Sequence, residues 1–312
     1  MKLSVLMSVR NGSQFLPNSI KDIESNVLED DEILIINDGS SDATEKFLTN
    51  WARINSRVRI ITTEALGFAN ALNLGIKEAE NNWIARFDVD DRYPVNRLSV
   101  QRSLISNEVS AIFCDYQFWS EENESLGVIP GAINASATAV SLISSQRTPH
   151  PGVIFNRLAV NAVGGYRAED FPAEDISLWL RMAKTGKLIT APQVLVNYRL
   201  SQTSMSGSNR NLGISKTKKL IEEIGIDQEY VSDCLSNWRE MFEQYDQASM
   251  STERKVLFYR DLRSCLKDQE NGNPHRQETN SIMRILLMEM NSYSAIYRMF
   301  KEKALRNKIR NS

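Results

Sequence analysis

Short apolar runs recur through the N-terminal third of the chain, and each ends in polar, turn-forming residues. Residues 3–9 run into Arg10-Asn11-Gly12, and Glu32-Ile33-Leu34-Ile35-Ile36 runs into Asn37-Asp38-Gly39-Ser40. Residues 58–61 form a third run, and Trp83-Ile84-Ala85-Arg86-Phe87 a fourth that ends in Asp88-Val89-Asp90-Asp91. Near-continuous apolar runs of this length suit strands buried on both faces of a largely parallel sheet. Between them lie helical spacings: residues 42–54, with Asp42 as the expected N-cap, and residues 67–80, with Ala71, Leu74 and Ala79 toward the sheet. Alternation of strand and helix predicts a doubly wound α/β domain. In such sheets ligands bind beyond the carboxyl ends of the strands. The polar clusters at Arg10-Asn11, Asn37-Asp38 and Asp88 to Asp91 would therefore meet at one edge.

Beyond Asp91 the spacing predicts a helix over 94–106, a strand over 111–119, a loop over 121–139, a strand over 152–155 and a helix over 175–185. The Ser- and Asn-rich segment 202–211 reads as a linker, and 212–312 carries only helical patterns. We therefore expect a catalytic domain over 1–206 and a helical C-terminal region over 207–312. Near the end, Leu286, Met290, Tyr293, Tyr297, Phe300 and Ala304 repeat at helical spacing. Arg298, Lys301, Lys303, Arg306, Lys308 and Arg310 face only Glu302 there. That pattern fits either an anionic membrane surface or a helix packed on this domain or on a second copy.

Composition narrows the class. The chain has 312 residues, 42% apolar and 24% charged, and a formal net charge of −2. That balance argues against a globally basic nucleic-acid binder. Cys114, Cys234 and Cys265 are widely spaced, and His150 and His275 are the only histidines, so a Cys/His zinc site is not expected. A reduced, cytoplasmic compartment is the simpler expectation. No uninterrupted apolar run approaches a bilayer span.

Asp88 and Asp90 carry the strongest chemical signal. Residues i and i+2 at a strand end point the same way, so both carboxylates can address one hard cation such as Mg2+ or Mn2+, a partner of substrate phosphates. The other reading of the motif is a solvated acidic loop. Asp38, after the second run, is placed either for a ribose or base edge or for a plain turn. Glu174 and Asp175 open an amphipathic helix, where the helix dipole alone would favour acids. A carboxylate there could also take the proton of an attacking hydroxyl. His150, between two prolines, is either structural or a contact to metal, diphosphate or acceptor. Arg86 either pairs with Asp88 or Asp90, or touches a diphosphate.

Taken in order, these residues resemble inverting glycosyltransferase family 2 of the GT-A superfamily, over roughly residues 1–206. Asn37-Asp38-Gly39-Ser40-Ser41-Asp42 is similar to that family's D-G-S-x-D turn. Residues 67–79 are similar to the segment before its metal motif, and residues 84–91, with Pro94, Arg97-Leu98 and Gln101, to its A-R-M-D-A-D-D block. His150-Pro151 with Val153 and Phe155 resembles H-P-x-V-x-F. Gly164-Gly165-Tyr166, Glu174-Asp175 and Leu178-Trp179-Leu180-Arg181 resemble G-G-Y and E-D-x-x-L-W-x-R, and Tyr198-Arg199 the closing Y-R. Two positions depart: Ser8-Val9-Arg10-Asn11 replaces P-x-Y-N, and Ser201 stands where a histidine often follows. The resemblance implies a GT-A domain that moves a sugar from a nucleotide-diphosphate donor, UDP by expectation, to a saccharide or lipid-linked saccharide hydroxyl. It implies Asp175 as catalytic base with Glu174 beside it. It further implies Ser8, Arg10, Asn11, Asp38, Asn73, Arg86, Asp88 and Asp90 around the donor, and Asp88, Asp90 and His150 around Mn2+ or Mg2+. A sugar-phosphate nucleotidyltransferase would want a Gly-rich basic loop after the first strand, which Arg10-Asn11-Gly12-Ser13 matches poorly. A scaffold that has lost turnover need not keep Asp38, Asp88, Asp90 and Asp175.

Overall fold

The computed structural model describes residues 1–120, 125–129, 131, 138, 142, 148–199 and 210–224. Eight strands form one sheet: β1 (Ser4–Val9), β2 (Glu32–Asp38), β3 (Val58–Thr63), β4 (Trp83–Arg86), β5 (Val109–Trp119), β6 (Ser125–Ile129), β7 (Ile154–Asn156) and β8 (Lys187–Arg199). The order is β3-β2-β1-β4-β7-β5-β6, and β8 lies along β5. Strands β3, β2, β1 and β4 run parallel, whereas β7 is antiparallel to both β4 and β5. The strand order therefore turns outward from β1, and the carboxyl ends of β1, β2 and β4 share an edge.

The described helices are α1 (Leu16–Asn26), α2 (Thr44–Ile54), α3 (Phe68–Glu78), α4 (Arg97–Ser103), α5 (Arg157–Ala162), α6 (Glu174–Ala183) and α7 (Arg210–Glu223). Period-2 alternation splits the strands between two cores. Val5, Met7, Ile33 and Ile35 pack with Leu16, Ile23, Leu48, Trp51 and Leu98 of α1, α2 and α4. Leu6, Leu34 and Ile36 pack with Ala71, Leu72 and Ile76 of α3 and with Trp179 of α6. Both faces of the sheet are covered, which is why its strands read as unbroken apolar runs. Gly75 lets α3 approach β1: a Cβ there would lie 2.2 Å from the Leu6 side chain.

The expected elements form, with shifted ends. Residues 42–54 become Thr44–Ile54 with Ala43 as N-cap residue, while Asp42 still accepts the Thr44 N–H at 3.0 Å. Residues 94–106 shorten to α4. The expected loop over 121–139 contains a strand, β6, hydrogen-bonded to the second half of β5, and this corrects the sequence reading. α1, α5 and β8 are also additions. Beyond the boundary expected at 206, Leu220 of α7 is buried in the same core as Trp179, and Lys184 Nζ donates to Ile224 O at 3.1 Å. Residues 210–224 thus pack on the catalytic domain. Ser201, most of the expected linker, and the apolar stripe and basic segment of 282–312 lie outside the described residues.

Candidate active site

The turns after β1 and β2 are laced together. Asn11, at φ 54°, accepts the Ser41 N–H on its Oδ1 at 2.8 Å, and its own N–H donates to Ser40 Oγ at 3.0 Å. Gly12 N–H donates to Thr44 Oγ1 at 2.9 Å and Ser13 N–H to Asp42 Oδ2 at 3.1 Å. Gly39 has φ 68°, and a Cβ there would meet Ala65 N at 2.7 Å, so this tight turn favours glycine. Asp38 is buried at the end of β2. Its Oδ1 accepts Thr63 Oγ1 at 2.7 Å and Leu66 N–H at 2.6 Å, and its Oδ2 accepts Gly67 N–H at 3.0 Å. The carboxylate expected to meet a ribose therefore first shapes the β3–α3 loop, with little acceptor capacity left over. Ser8 is buried near the end of β1, and Arg10 beyond it is exposed.

The turn after β4 is built differently. Arg86 is fully buried and donates to Asp88 Oδ1 and to the Phe87 carbonyl, its guanidinium 5.3 Å from the Phe68 ring centroid. Burial lowers its pKa, but the charge and hydrogen bond of Asp88, with the nearby Tyr166 and Tyr93, together more than reverse that and hold it cationic. Tyr93 Oη accepts the Asp88 N–H at 2.7 Å. Arg97, also fully buried, donates to the Arg86 carbonyl at 2.6 Å and lies over Phe87 and Tyr93. Gln101 Nε2 ties Ile112 O and Gly152 O at 3.0 and 2.7 Å. From outside, Asp22 of α1 grips Arg92 through two bonds of 2.7 and 2.9 Å and accepts Tyr93 N–H at 2.9 Å. Arg199, ending β8, donates its N–H to Asp91 Oδ1 at 2.8 Å and its Nε to Asp90 O at 3.1 Å.

This scaffold leaves three consecutive-turn carboxylates close together and short of cations. Burial, then repulsion from Asp88, raises Asp90 to about 6. Burial, Asp90 and Asp88 together push Asp91 well above the usual carboxylate range. Hard, mutually repelling oxygens at a strand end suit a divalent cation. Among the described residues no group of three or more His, Cys, Asp or Glu side chains converges as a closed cage. Asp88 and Asp90 therefore fit a Mg2+- or Mn2+-type site in which substrate phosphate and water complete the shell.

Among the described residues His150 makes no hydrogen bond to that pair, and its partner is Tyr166. Its Nε2 is 2.8 Å from Tyr166 Oη, and its ring packs edge-on to Phe68 and Tyr166 and at a tilt to Trp179. Burial, then the nearby Arg86 charge, keeps its pKa well below normal, so the imidazole is neutral. Asn73 also bonds to Tyr166. Its Nδ2 donates to Tyr166 O at 2.8 Å and its Oδ1 accepts Tyr166 N–H at 2.9 Å, so it pins the Gly165–Tyr166 turn to α3. Arg181 of α6 supports the same turn, donating to Val163 O and, at 2.8 Å, to Gly165 O.

Glu174 and Asp175 begin α6. Asp175 Oδ1 accepts the Ile176 N–H at 2.7 Å. The helix dipole favours its anion, yet burial, then the Glu174 charge, raises it to about 7, and Asp88 contributes across the cleft. Burial and Asp170 raise Glu174, whose Oε2 is buried without a partner. Tyr166 stands within electrostatic reach of Arg86, Asp175, Asp88 and Glu174. The structure thus brings Asp88, Arg86, Glu174, Asp175 and the His150–Tyr166 pair together. Tyr93, Asp22, Tyr166 and Arg199 hold this geometry and were not singled out as site residues from the sequence. The Gly164-Gly165-Tyr166 and closing Tyr198-Arg199 motifs were the local signals for Tyr166 and Arg199.

The chain is similar to known proteins in sequence and in fold. Residues 4–131 match the family model described as Glycosyl transferase family 2. The chain is 28% identical over 209 residues to an Escherichia coli UDP-Gal:alpha-D-GlcNAc-diphosphoundecaprenol beta-1,3-galactosyltransferase, covering 64% of this chain and 75% of that one. In structure it resembles Staphylococcus aureus TarS 1–349 in complex with UDP-GlcNAc, with a TM-score of 0.59 at 13% identity over 84% of this chain and 80% of that one. It also resembles the mannosyltransferase PcManGT from Pyrobaculum calidifontis in complex with GDP-Man and Mn2+, with a TM-score of 0.59 at 14% identity over 97% and 84%. The fold is GT-A, the architecture of nucleotide-sugar-dependent transferases. Over residues 4–131 the chain is similar to glycosyltransferase family 2, and the relatives it matches are glycosyltransferases.

Proposed function

We propose that this glycosyltransferase moves a hexosyl or N-acetylhexosaminyl group from a UDP-sugar to an acceptor hydroxyl with inversion, and that Asp175 is the base. The observation that carries the reading is Asp175 itself. It is a carboxyl raised to about 7 by burial and Glu174, within electrostatic reach of Asp88 of the metal-type pair. A base with a pKa near the working pH balances proton affinity against availability. Asp175 takes the acceptor proton as the oxygen attacks the anomeric carbon from the face opposite the diphosphate. One in-line displacement inverts that carbon. Asp90 and Asp88 would hold the dication, which when bound neutralises charge on the departing diphosphate. Arg86 orients Asp88 through their hydrogen bond. Asn11, Asp38 and their partner turns shape the nucleoside side, with Ser8 and Arg10 at its rim.

UDP is favoured because both the galactosyltransferase relative and the TarS complex carry it in their names. That relative also names a polyprenyl-diphosphate-linked saccharide, so the acceptor class we favour is a lipid-linked saccharide of bacterial surface polysaccharide. Among the described residues no helix is long and apolar enough to cross a membrane. We place the enzyme in the cytoplasm, with residues 207–312 serving acceptor, membrane-surface or homodimer contacts. The test is a screen of nucleotide sugars with Mn2+ against polyprenyl-linked and free saccharides, with the product examined by NMR. An α-linked donor should give a β-linked product. A retained configuration would reject the mechanism.

A further inference from the structure

His150 is a titratable group beside these acids that the reaction leaves without a task, and its hydrogen bonding defines which nitrogen carries its proton. Tyr166 Oη is buried, and burial, only partly opposed by Arg86, pushes its pKa far up, so it keeps its hydrogen. Its only hydrogen-bond partner among the described residues is His150 Nε2 at 2.8 Å. If Nε2 carried the imidazole proton, it would donate to Tyr166 Oη and leave the phenol hydrogen buried without an acceptor, a cost a folded protein rarely bears. With the phenol donating instead, Nε2 accepts and the ring proton sits on Nδ1. The ring is half-buried, and its Nδ1 bonds to no described residue.

We infer that Tyr166 locks His150 as the Nδ1–H tautomer, and that this N–H is a neutral donor to an oxygen on the sugar-phosphate portion of the nucleotide sugar. The location supports that ligand. The imidazole lies near Arg86, which is bound to Asp88, while its partner Tyr166 is within reach of Asp88 and Asp175. Those acids bracket the transferred sugar in the reaction proposed above, so the ligand assignment rests on that reading. The tautomer does not. A second feature fits a purpose-built donor. Asn73 and Arg181 both hold the Gly165–Tyr166 turn, so the phenol is aimed before substrate arrives.

The test uses full-length protein labelled with 15N-histidine, near pH 7.5. The sequence has only His150 and His275, and His275→Gln assigns the spectrum. Couplings from the carbon-bound ring protons should place the proton of His150 on Nδ1, and Tyr166→Phe should release it to a mixture of tautomers. An Nε2–H ring or an imidazolium in the wild type would overturn the lock. For the ligand, the two amide variants separate the nitrogens. Asn places an N–H near the Nδ1 position, whereas Gln reaches only the Nε2 position. His150→Asn should hold the KM for the nucleotide sugar within about threefold, and His150→Gln should raise it about tenfold, the loss expected for one hydrogen bond. Equal losses in both folded variants, or a rise confined to the acceptor KM, would overturn the contact. If the wild type transfers no sugar from any donor while the Nδ1–H signal is present, the proposed function fails and the tautomer stands.

Discussion

The two sides of the cleft treat their acids in opposite ways. On the β1–β2 side most of the polar side chains are spent on their neighbours: Asn11 on Ser41, Asp42 on Ser13 and Thr44, Asp38 on Thr63, Leu66 and Gly67, while Asn37 Oδ1 is buried with no partner among the described residues. Desolvation pushes the Asp42 carboxyl up, but the bonds from Thr44 and Ser13 more than reverse it and hold it below the usual range. On the β4–α6 side the acids are buried without enough donors, and Asp90, Asp91, Glu174 and Asp175 are all raised. The first side is a largely satisfied scaffold that binds by shape. The second stores unfavourable electrostatics that a cation, a diphosphate or a proton in flight can relieve. Position at a strand end marks both sides as site. Only the balance of donors and acids tells which side does chemistry.

The sharpest way to break that contrast is Asp175→Asn. It should lower kcat by about 10²–10⁴ while leaving nucleotide affinity nearly unchanged, since an amide cannot take the proton. The wild-type kcat/KM should rise with pH through a midpoint near 7, as Asp175 loses its proton. Stability should move the other way. A carboxyl whose folded pKa exceeds its unfolded value binds its proton more tightly in the fold. The stability this adds is present below about 4 and is lost as pH rises toward 7. Asp175→Asn should therefore melt higher than wild type at pH 8, by on the order of 1–3 kcal/mol. A variant that is less stable and still active would place Asp175 with the scaffold.

Asp90→Asn comes next. It should cut activity by about a hundredfold and weaken the response to Mn2+, because a neutral amide is a poorer ligand for a hard dication. Wild-type turnover undiminished by excess chelator would remove the metal from the reading.

Much of this contrast was legible in the sequence, and the gaps have physical causes. Strands buried on both faces announce themselves as unbroken apolar runs, so β1 to β4 and the clusters at their ends were readable. β8 was not. It is half-exposed and interrupted at Pro192, where its register against β5 skips from Ala191 to Val194. β6 hides in a polar, Gly-containing stretch beside β5. α1 carries too few apolar residues for its spacing to stand out. Among site residues, type and position at a strand or helix end were enough to single out the acids. Asn73 looked available for ligands because nothing local shows that Tyr166, far along the chain, takes both ends of its amide, and nothing local shows that Tyr166 takes one ring nitrogen of His150. Asp38 looked free for the same reason: its partners Leu66 and Gly67 arrive from another loop.

On the scaffold side the effects should be on stability. Asp38→Ala strands the Leu66 and Gly67 N–H groups at a partly buried site and should cost about 1–3 kcal/mol in urea unfolding, with the surviving enzyme losing KM rather than kcat. A kcat collapse at full stability would move Asp38 to the chemical side.

The smallest effect belongs to Asn11, where two contributions can be separated. Its backbone is left-handed, a conformation that Asn and Gly adopt readily and alanine does not. Its side chain also accepts from Ser41 N–H in an exposed setting, where a hydrogen bond contributes about 0.5–1.5 kcal/mol. Asn11→Gly removes the bond and keeps the conformation, so it should cost about 1 kcal/mol or less. Asn11→Ala removes the bond and adds backbone strain, so it should cost about 1 kcal/mol more than the glycine variant. Both should leave kcat and its pH midpoint where they are, because neither touches the raised acids of the β4–α6 side. If Asn11→Gly instead shifted that midpoint, the turns after β1 and β2 would be coupled to Asp175, and the cleft would not divide into a scaffold side and a chemical side.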